Sequence, residues 1–207
     1  MKAYKFLDDS GRTPFMGSTW STDSWIETTT AEPCNQGVHA CDLEHLANWL
    51  ADRLWEVELD GDMATTTHKL VATRGRLVRE IVGYPEAARE LGAARAWAAR
   101  DRVVETLRSN NELELAERFA SVTTLQQLAA LKDVTGDATF ARVAAGFAAD
   151  VADDTLNGTL AQGPFVACCL AGHLAAGEHG EEDVYEQGFD GERRSQSAWL
   201  AGRLALS

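Results

Sequence analysis

Leu54-Trp55-Glu56-Val57-Glu58-Leu59-Asp60-Gly61 alternates apolar and charged side chains and ends in a turn dipeptide. A period of two turns one set of side chains toward a core and leaves Glu56 and Glu58 together on the opposite face. A half-buried strand closing at Asp60-Gly61 is therefore expected. Upstream, the apolar run Tyr4 to Leu7 is closed by Asp8-Asp9-Ser10-Gly11, which predicts a first strand followed by a turn. Residues 10 to 37 are rich in Ser, Thr, Gly and Pro, with Phe15, Trp20, Trp25 and Ile26 interspersed, and predict an ordered loop region with one strand near 25–29. Asp42 is placed to cap a helix running to about Arg53, because Leu43, Leu46, Ala47 and Leu50 fall at helical spacing. Downstream, Lys69 to Ala72 and Leu77 to Ile81 read as two further strands broken at Gly75, and Pro85 ends the strand regime.

From Glu86 onward Ala, Leu, Arg and Glu dominate, and helices are expected near 86–108, 112–121, 124–134, 138–155, 164–176 and 182–204. Asp137 precedes a stripe of Phe140, Val143, Ala144, Phe147 and Val151, and Thr135-Gly136 is one of the expected breaks. The fold class is α+β, with a small mixed or antiparallel sheet and one helix over 1–85, packed on a helical bundle over 86–207. Whether these are two domains or one shared core stays open.

With 32 acidic and 19 basic residues in 207, the net charge is −13, and cutting at Pro85 leaves −5 before it and −8 after it. Neither part offers phosphates a basic surface, so no nucleic-acid partner is expected, and the same field disfavours anionic membranes. The N-terminal residues reach Asp8 and Asp9 before any apolar leader segment forms, and the apolar run Phe165 to Ala176 is too short to span a bilayer and contains His173. A soluble, cytoplasmic, bacterial protein with reduced Cys34, Cys41, Cys168 and Cys169 is the expectation.

The segment Pro33-Cys34-Asn35-Gln36-Gly37-Val38-His39-Ala40-Cys41, followed by His45, gathers two thiols and two imidazoles within twelve residues. Three readings apply. Cys34, His39, Cys41 and His45 would supply the donor types of a tetrahedral zinc, although their spacing differs from common zinc modules. Alternatively Gly37 permits a turn, Val38 and Ala40 point into a core, His39 and Cys41 take the other face, and the thiols act as small buried hydrophobes. In the third reading His39 is an acid–base or ligand-contacting group at a strand end, with Cys41 and Glu58 as companion catalytic candidates.

Other clusters have plainer readings. Asp150, Asp153 and Asp154 share a helical face that magnesium bound to a phosphate substrate would suit, but acids opposite an apolar stripe are ordinary solvated surface. Cys169 and His173 lie one turn apart, which would allow a thiolate–imidazole pair or two metal ligands, and a hydrogen-bonded core histidine is the simpler expectation. Glu178 to Asp183 complements a helix start, and Glu192, Arg193 and Arg194 are ion-paired surface or a buried clamp between the two parts. A Gly-rich phosphate loop, a nucleophile elbow and a His-Glu-x-x-His helix are all missing, which excludes the commonest nucleotide hydrolases, serine hydrolases and zincins.

The Cys34 to Cys41 motif, Trp49-Leu50, the strand from Leu54 to Gly61, Lys69 to Ala72 and Arg74-Gly75-Arg76-Leu77 resemble an uncharacterised family of actinobacterial proteins. The tail, with Tyr185, Glu192-Arg193, Gln196 and Trp199-Leu200, resembles it too. That likeness implies a bacterial, intracellular origin and carries no activity. More loosely, a strand, a Gly-x-His-Ala segment, a helix and a strand ending in Asp-Gly are similar to ADP-ribosyltransferase-like domains, which implies an enzyme that uses NAD. Two departures stand out: Tyr4 and Lys5 occupy the first-strand region where those domains place His or Arg, and Glu56-Val57-Glu58 comes too early for their late glutamate.

The first functional expectation is a small-molecule enzyme or ligand-binding protein of specialised metabolism. Its pocket lies near His39, with Trp20, Trp25, Trp49 and Trp55 as walls. The alternative is a noncatalytic interaction module whose helical half meets a protein partner or a second copy. The first forecasts a partly apolar cavity at His39. The second forecasts none, and an exposed apolar patch on helices 86–155 instead.

Overall fold

The computed structural model describes residues 1–14, 17–22, 24–134 and 139–207. Phe15 and the expected break at Thr135-Gly136 with Asp137 lie outside the described residues. The chain is α+β and divides into two compact units, Met1–Ala87 with Gln196–Ser207, and Ala88–Ser195.

The first unit is built on β1 (Lys2–Leu7), β2 (Ile26–Glu27), β3 (Val38–Ala40), β4 (Arg53–Thr65) and β5 (Leu70–Glu80), all paired antiparallel. β4 lies between β1 and β5, and the free side of β5 takes β3 along Leu70 to Ala72 and β2 at Arg74 and Gly75. Just past β3, Cys41 pairs with Tyr4 of β1, so β1, β4, β5 and β3 form a closed ring of hydrogen-bonded neighbours. Closure pairs strand edges that would otherwise be open, and encloses Ala3, Val38, Ala40, Trp55, Val57, Leu59, Leu70, Ala72 and Leu77 as one apolar core.

Three expectations are corrected here. β4 does not end at Asp60-Gly61: the register shifts between Asp60 and Met63, and the strand continues to Thr65. The turn chemistry makes a bulge, whose Asp62 N–H donates to the Thr73 hydroxyl at 3.0 Å. β5 is not broken at Gly75. A Cβ there would stand 2.6 Å from a Val38 methyl and 3.1 Å from a Leu59 methyl, so glycine serves the close approach of β3 and β4 rather than a break. The helix after Asp42 is a 3-10 helix, Leu43–Asn48, capped by the Asp42 carboxylate at the Glu44 and His45 N–H groups. It stops before Arg53 because that residue already belongs to β4, opposite Leu7.

The second unit takes its core from α1 (Tyr84–Ser109), α2 (Leu113–Ser121), α3 (Leu125–Ala129), α4 (Phe140–Asn157) and α5 (Gln162–Ala176), and also holds most of α6 (Glu182–Arg203). The helix expected over 124–134 is split into α3 and a 3-10 turn at Lys132–Val134. Thr124 and Gln127 form a capping box at α3, and the Thr139 hydroxyl caps α4 at Arg142 N–H. Alanines 141, 144, 145, 148, 149 and 152 line the buried side of α4, which lets neighbouring backbones pack closely. Glu192, 5% exposed, is held by Arg95 at 3.2 Å and Arg102 at 3.1 Å. All three residues belong to this unit, so the pairs are buried within it rather than forming a clamp between the two parts of the chain.

Candidate functional site

A cavity of about 500 Å³ lies in the first unit, between β1, the β3 segment and the loops before it. Its apolar walls include Phe6, Trp20, Ile26, Val38 and Trp49, and its polar lining includes Lys5, His39, Cys34, Asn35, Lys69 and several Thr and Ser. Among the described residues no Asp or Glu lines it, although the chain carries 32 acids. A cation-lined hollow in an acidic protein favours a ligand whose polar end is anionic or electron-rich.

Local folding positions each group. Gly37, at φ +137, makes the turn that starts β3; a Cβ there would run into Val71. Val38 and Ala40 then enter the core, as the alternation predicts, and His39 is half-buried at the cavity. Its Nε2 is buried without a hydrogen-bond partner among the described residues. Burial, and then the charges of Lys5 and Lys69, hold the imidazole below its usual pKa, with a main-chain hydrogen bond at Glu32 opposing them. A neutral ring at pH 7 can accept a proton or donate one hydrogen bond.

Lys5 is the lining residue that sequence reasoning did not count among its site candidates. Lys2, at the start of β1, pairs with Glu56 at 3.3 Å on the outer face. Lys5, three residues on, takes the opposite face and lines the cavity. Its Nζ donates to the His39 carbonyl at 2.6 Å and lies 5.2 Å from the centre of the Trp20 ring. Among the described residues no carboxylate pairs with it. Burial lowers its pKa to about 8, with Lys69 acting in the same direction and Cys41 against. The signal was present: a lone lysine inside Ala3-Tyr4-Lys5-Phe6-Leu7 has an ammonium to bury or a purpose for it.

The expected zinc set is not assembled. Among the described residues no three His, Cys, Asp or Glu side chains are grouped to hold a metal ion, and all four proposed ligands are described. Cys34 is exposed on a left-handed turn, φ 63, where its sulfur accepts from Lys69 Nζ at 3.1 Å. Cys41 is buried in the ring closure and donates to the Tyr4 carbonyl at 3.5 Å; burial pushes its thiol far above the usual range. His45 bonds the Asp42 carboxylate at 2.6 Å and stacks edge-on against His68.

The remaining candidates divide. Cys41 lines the cavity with His39, whereas Glu58 does not: its carboxylate pairs with Arg76 at 2.6 Å on the outer face, beside the Glu56–Arg79 pair. Trp20 and Trp49 are walls, with Lys69 Nζ 5.2 Å from the Trp49 ring. Trp25 and Trp55 are not. Trp25 is held by the guanidinium groups of Arg74 and Arg76, at 4.1 and 4.8 Å, and Trp55 belongs to the core. In the second unit Asp150 pairs with Lys132 at 2.6 Å and Asp153 accepts from Asn157, while His173 bonds the Phe140 carbonyl and stacks on its ring. Cys169 bonds Tyr185 rather than His173.

No helix of the described residues is long and apolar enough to cross a membrane. No protein-family model, curated protein or solved structure matches this chain.

Proposed function

We propose that this protein binds a small molecule in the cavity beside His39, one with an aromatic or apolar body and an anionic or carbonyl-bearing end. The body lies against Trp20, Trp49, Phe6 and Ile26, and the polar end meets Lys5, Lys69 and His39. The observation that carries this reading is the lining itself: a cavity large enough for a drug-sized ligand, apolar on its walls, with two amines, an imidazole and, among the described residues, no acid. His39, a lining residue whose ring is held neutral at pH 7, is the proton carrier for chemistry in this cavity.

A thermal-shift screen of aromatic carboxylates and carbonyl compounds against wild type and His39→Ala tests the reading. Ligands that raise the wild-type Tm should lose most of that rise in the variant. If nothing in such a panel stabilises wild type, or the variant responds equally, the cavity is packing space and the imidazole plays no part in recognition.

A further inference from the structure

We infer that Lys5 is a carbonyl-capturing amine, which forms an imine with an aldehyde or ketone held in the cavity; this rests on the small-molecule reading above. The geometry has three parts. Lys5 reaches the cavity from β1, a hydrogen-bonded strand of the closed ring, so its stem starts from a fixed base. Its Nζ is anchored on a main-chain carbonyl, His39 O, and among the described residues not on a carboxylate. A neutral amine keeps N–H donors for that carbonyl while its lone pair stays available, whereas a carboxylate partner would hold it as ammonium. Third, the face of Trp20 lies 5.2 Å from Nζ, where it stabilises the cationic iminium as it does the ammonium.

The chemistry is balanced without an external oxidant or reductant. The lysine nitrogen adds to the carbonyl carbon, one of its protons passes to the oxygen, and a carbinolamine results. The C–O bond then breaks with uptake of one proton, water leaves, and the nitrogen lone pair completes the C=N bond of the iminium. His39, whose imidazole lines the same cavity, is the group placed to relay a proton between nitrogen and oxygen. A lysine whose pKa is about 8 is neutral in roughly a tenth of molecules at pH 7, against far below a hundredth for an ordinary lysine.

The probe pair is 4-carboxybenzaldehyde and 4-carboxybenzyl alcohol, which share ring and carboxylate but differ in the carbonyl. Wild-type protein is incubated with the aldehyde and sodium cyanoborohydride near pH 7, digested, and its peptides mapped by mass spectrometry. Lys5 should carry the reduced adduct at least about tenfold more than Lys2 or Lys132, whose amines are held protonated by carboxylates, following its larger neutral fraction. The alcohol, added in excess, should suppress that label. Adduct spread evenly over the lysines, or absent from Lys5, overturns the inference. Binding of the alcohol by tryptophan fluorescence separates the two claims: an alcohol that binds while Lys5 stays unlabelled removes carbonyl capture alone, and failure of both removes the cavity reading too.

Discussion

Tyr4 and Cys41 exchange two main-chain hydrogen bonds, Tyr4 N–H to Cys41 O at 2.8 Å and Cys41 N–H to Tyr4 O at 2.9 Å. This one bridge joins the first strand to the third and closes the ring. Because the pairing is antiparallel, it also sets Lys5 beside Ala40, one residue from His39, whose carbonyl the Lys5 side chain reaches. Closure of the sheet and assembly of the cavity are thus the same event.

Gly75→Ala tests the ring from the far side. Its added methyl would meet Val38 and Leu59 at once, both buried in the core, so neither neighbour can swing away into solvent. A loss of about 1–3 kcal/mol is expected from overpacking, read as a lower denaturant midpoint at unchanged slope. An unchanged midpoint would mean that β3 is not seated there.

Lys5 should leave a mark on stability against pH. Its folded pKa of about 8 lies below the usual 10.5, so between those values the unfolded chain holds a proton that the folded chain has released. Stability from this group therefore rises with pH across that window and is lowest below it. Buried Cys41 and Tyr84, whose pKa values are raised, act in the opposite sense at the alkaline end. Comparing wild type with Lys5→Met cancels most of their effect. The difference should move in favour of wild type by on the order of 2 kcal/mol between pH 7 and pH 10.5, by denaturant titration. A constant difference would show that Lys5 titrates as an exposed amine.

Thiol chemistry reports on the cavity mouth. Cys34 is exposed, lines the cavity and touches Lys69, while Cys41 and Cys168 are buried. Iodoacetamide should alkylate Cys34 first, with the buried pair slower by roughly a hundredfold in native protein. A cavity ligand such as 4-carboxybenzyl alcohol should slow Cys34 further, as mass spectrometry of timed samples would show. Early labelling of Cys41 would mean that the ring opens readily.

Periodicity made much of this fold legible. The alternation from Leu54 to Leu59 marked β4 and already placed Glu58 beside Glu56 on the opposite face, and the 3.6-residue stripe of Phe140, Val143, Ala144, Phe147 and Val151 marked α4, although Val143 is exposed. What stayed hidden depends on contacts without a repeating signature. A single bridge between Tyr4 and Cys41 leaves no pattern in either segment, and the bulge at Gly61 and the close approach at Gly75 use the residues that ordinarily end strands. His39 was visible because unusual residues crowd around it. The zinc reading failed because the chain turns Cys34 outward and seals Cys41 within the ring, which spacing cannot reveal. Lys5 was noted only as a departure from a loose resemblance and otherwise read as part of an apolar run, so its own chemistry went unread.

The claim on which all of this turns is that a small aromatic molecule occupies the hollow beside Lys5 and His39. Indole N–H resonances in a 15N-labelled sample, followed during titration with 4-carboxybenzyl alcohol, test it directly, because the chain holds six tryptophans in contrasting places. The account predicts saturable shifts at Trp20 and Trp49, which line the cavity, with Trp25 and Trp97 unmoved. Shifts that grow linearly and alike at every indole, or none at Trp20 and Trp49, would contradict it.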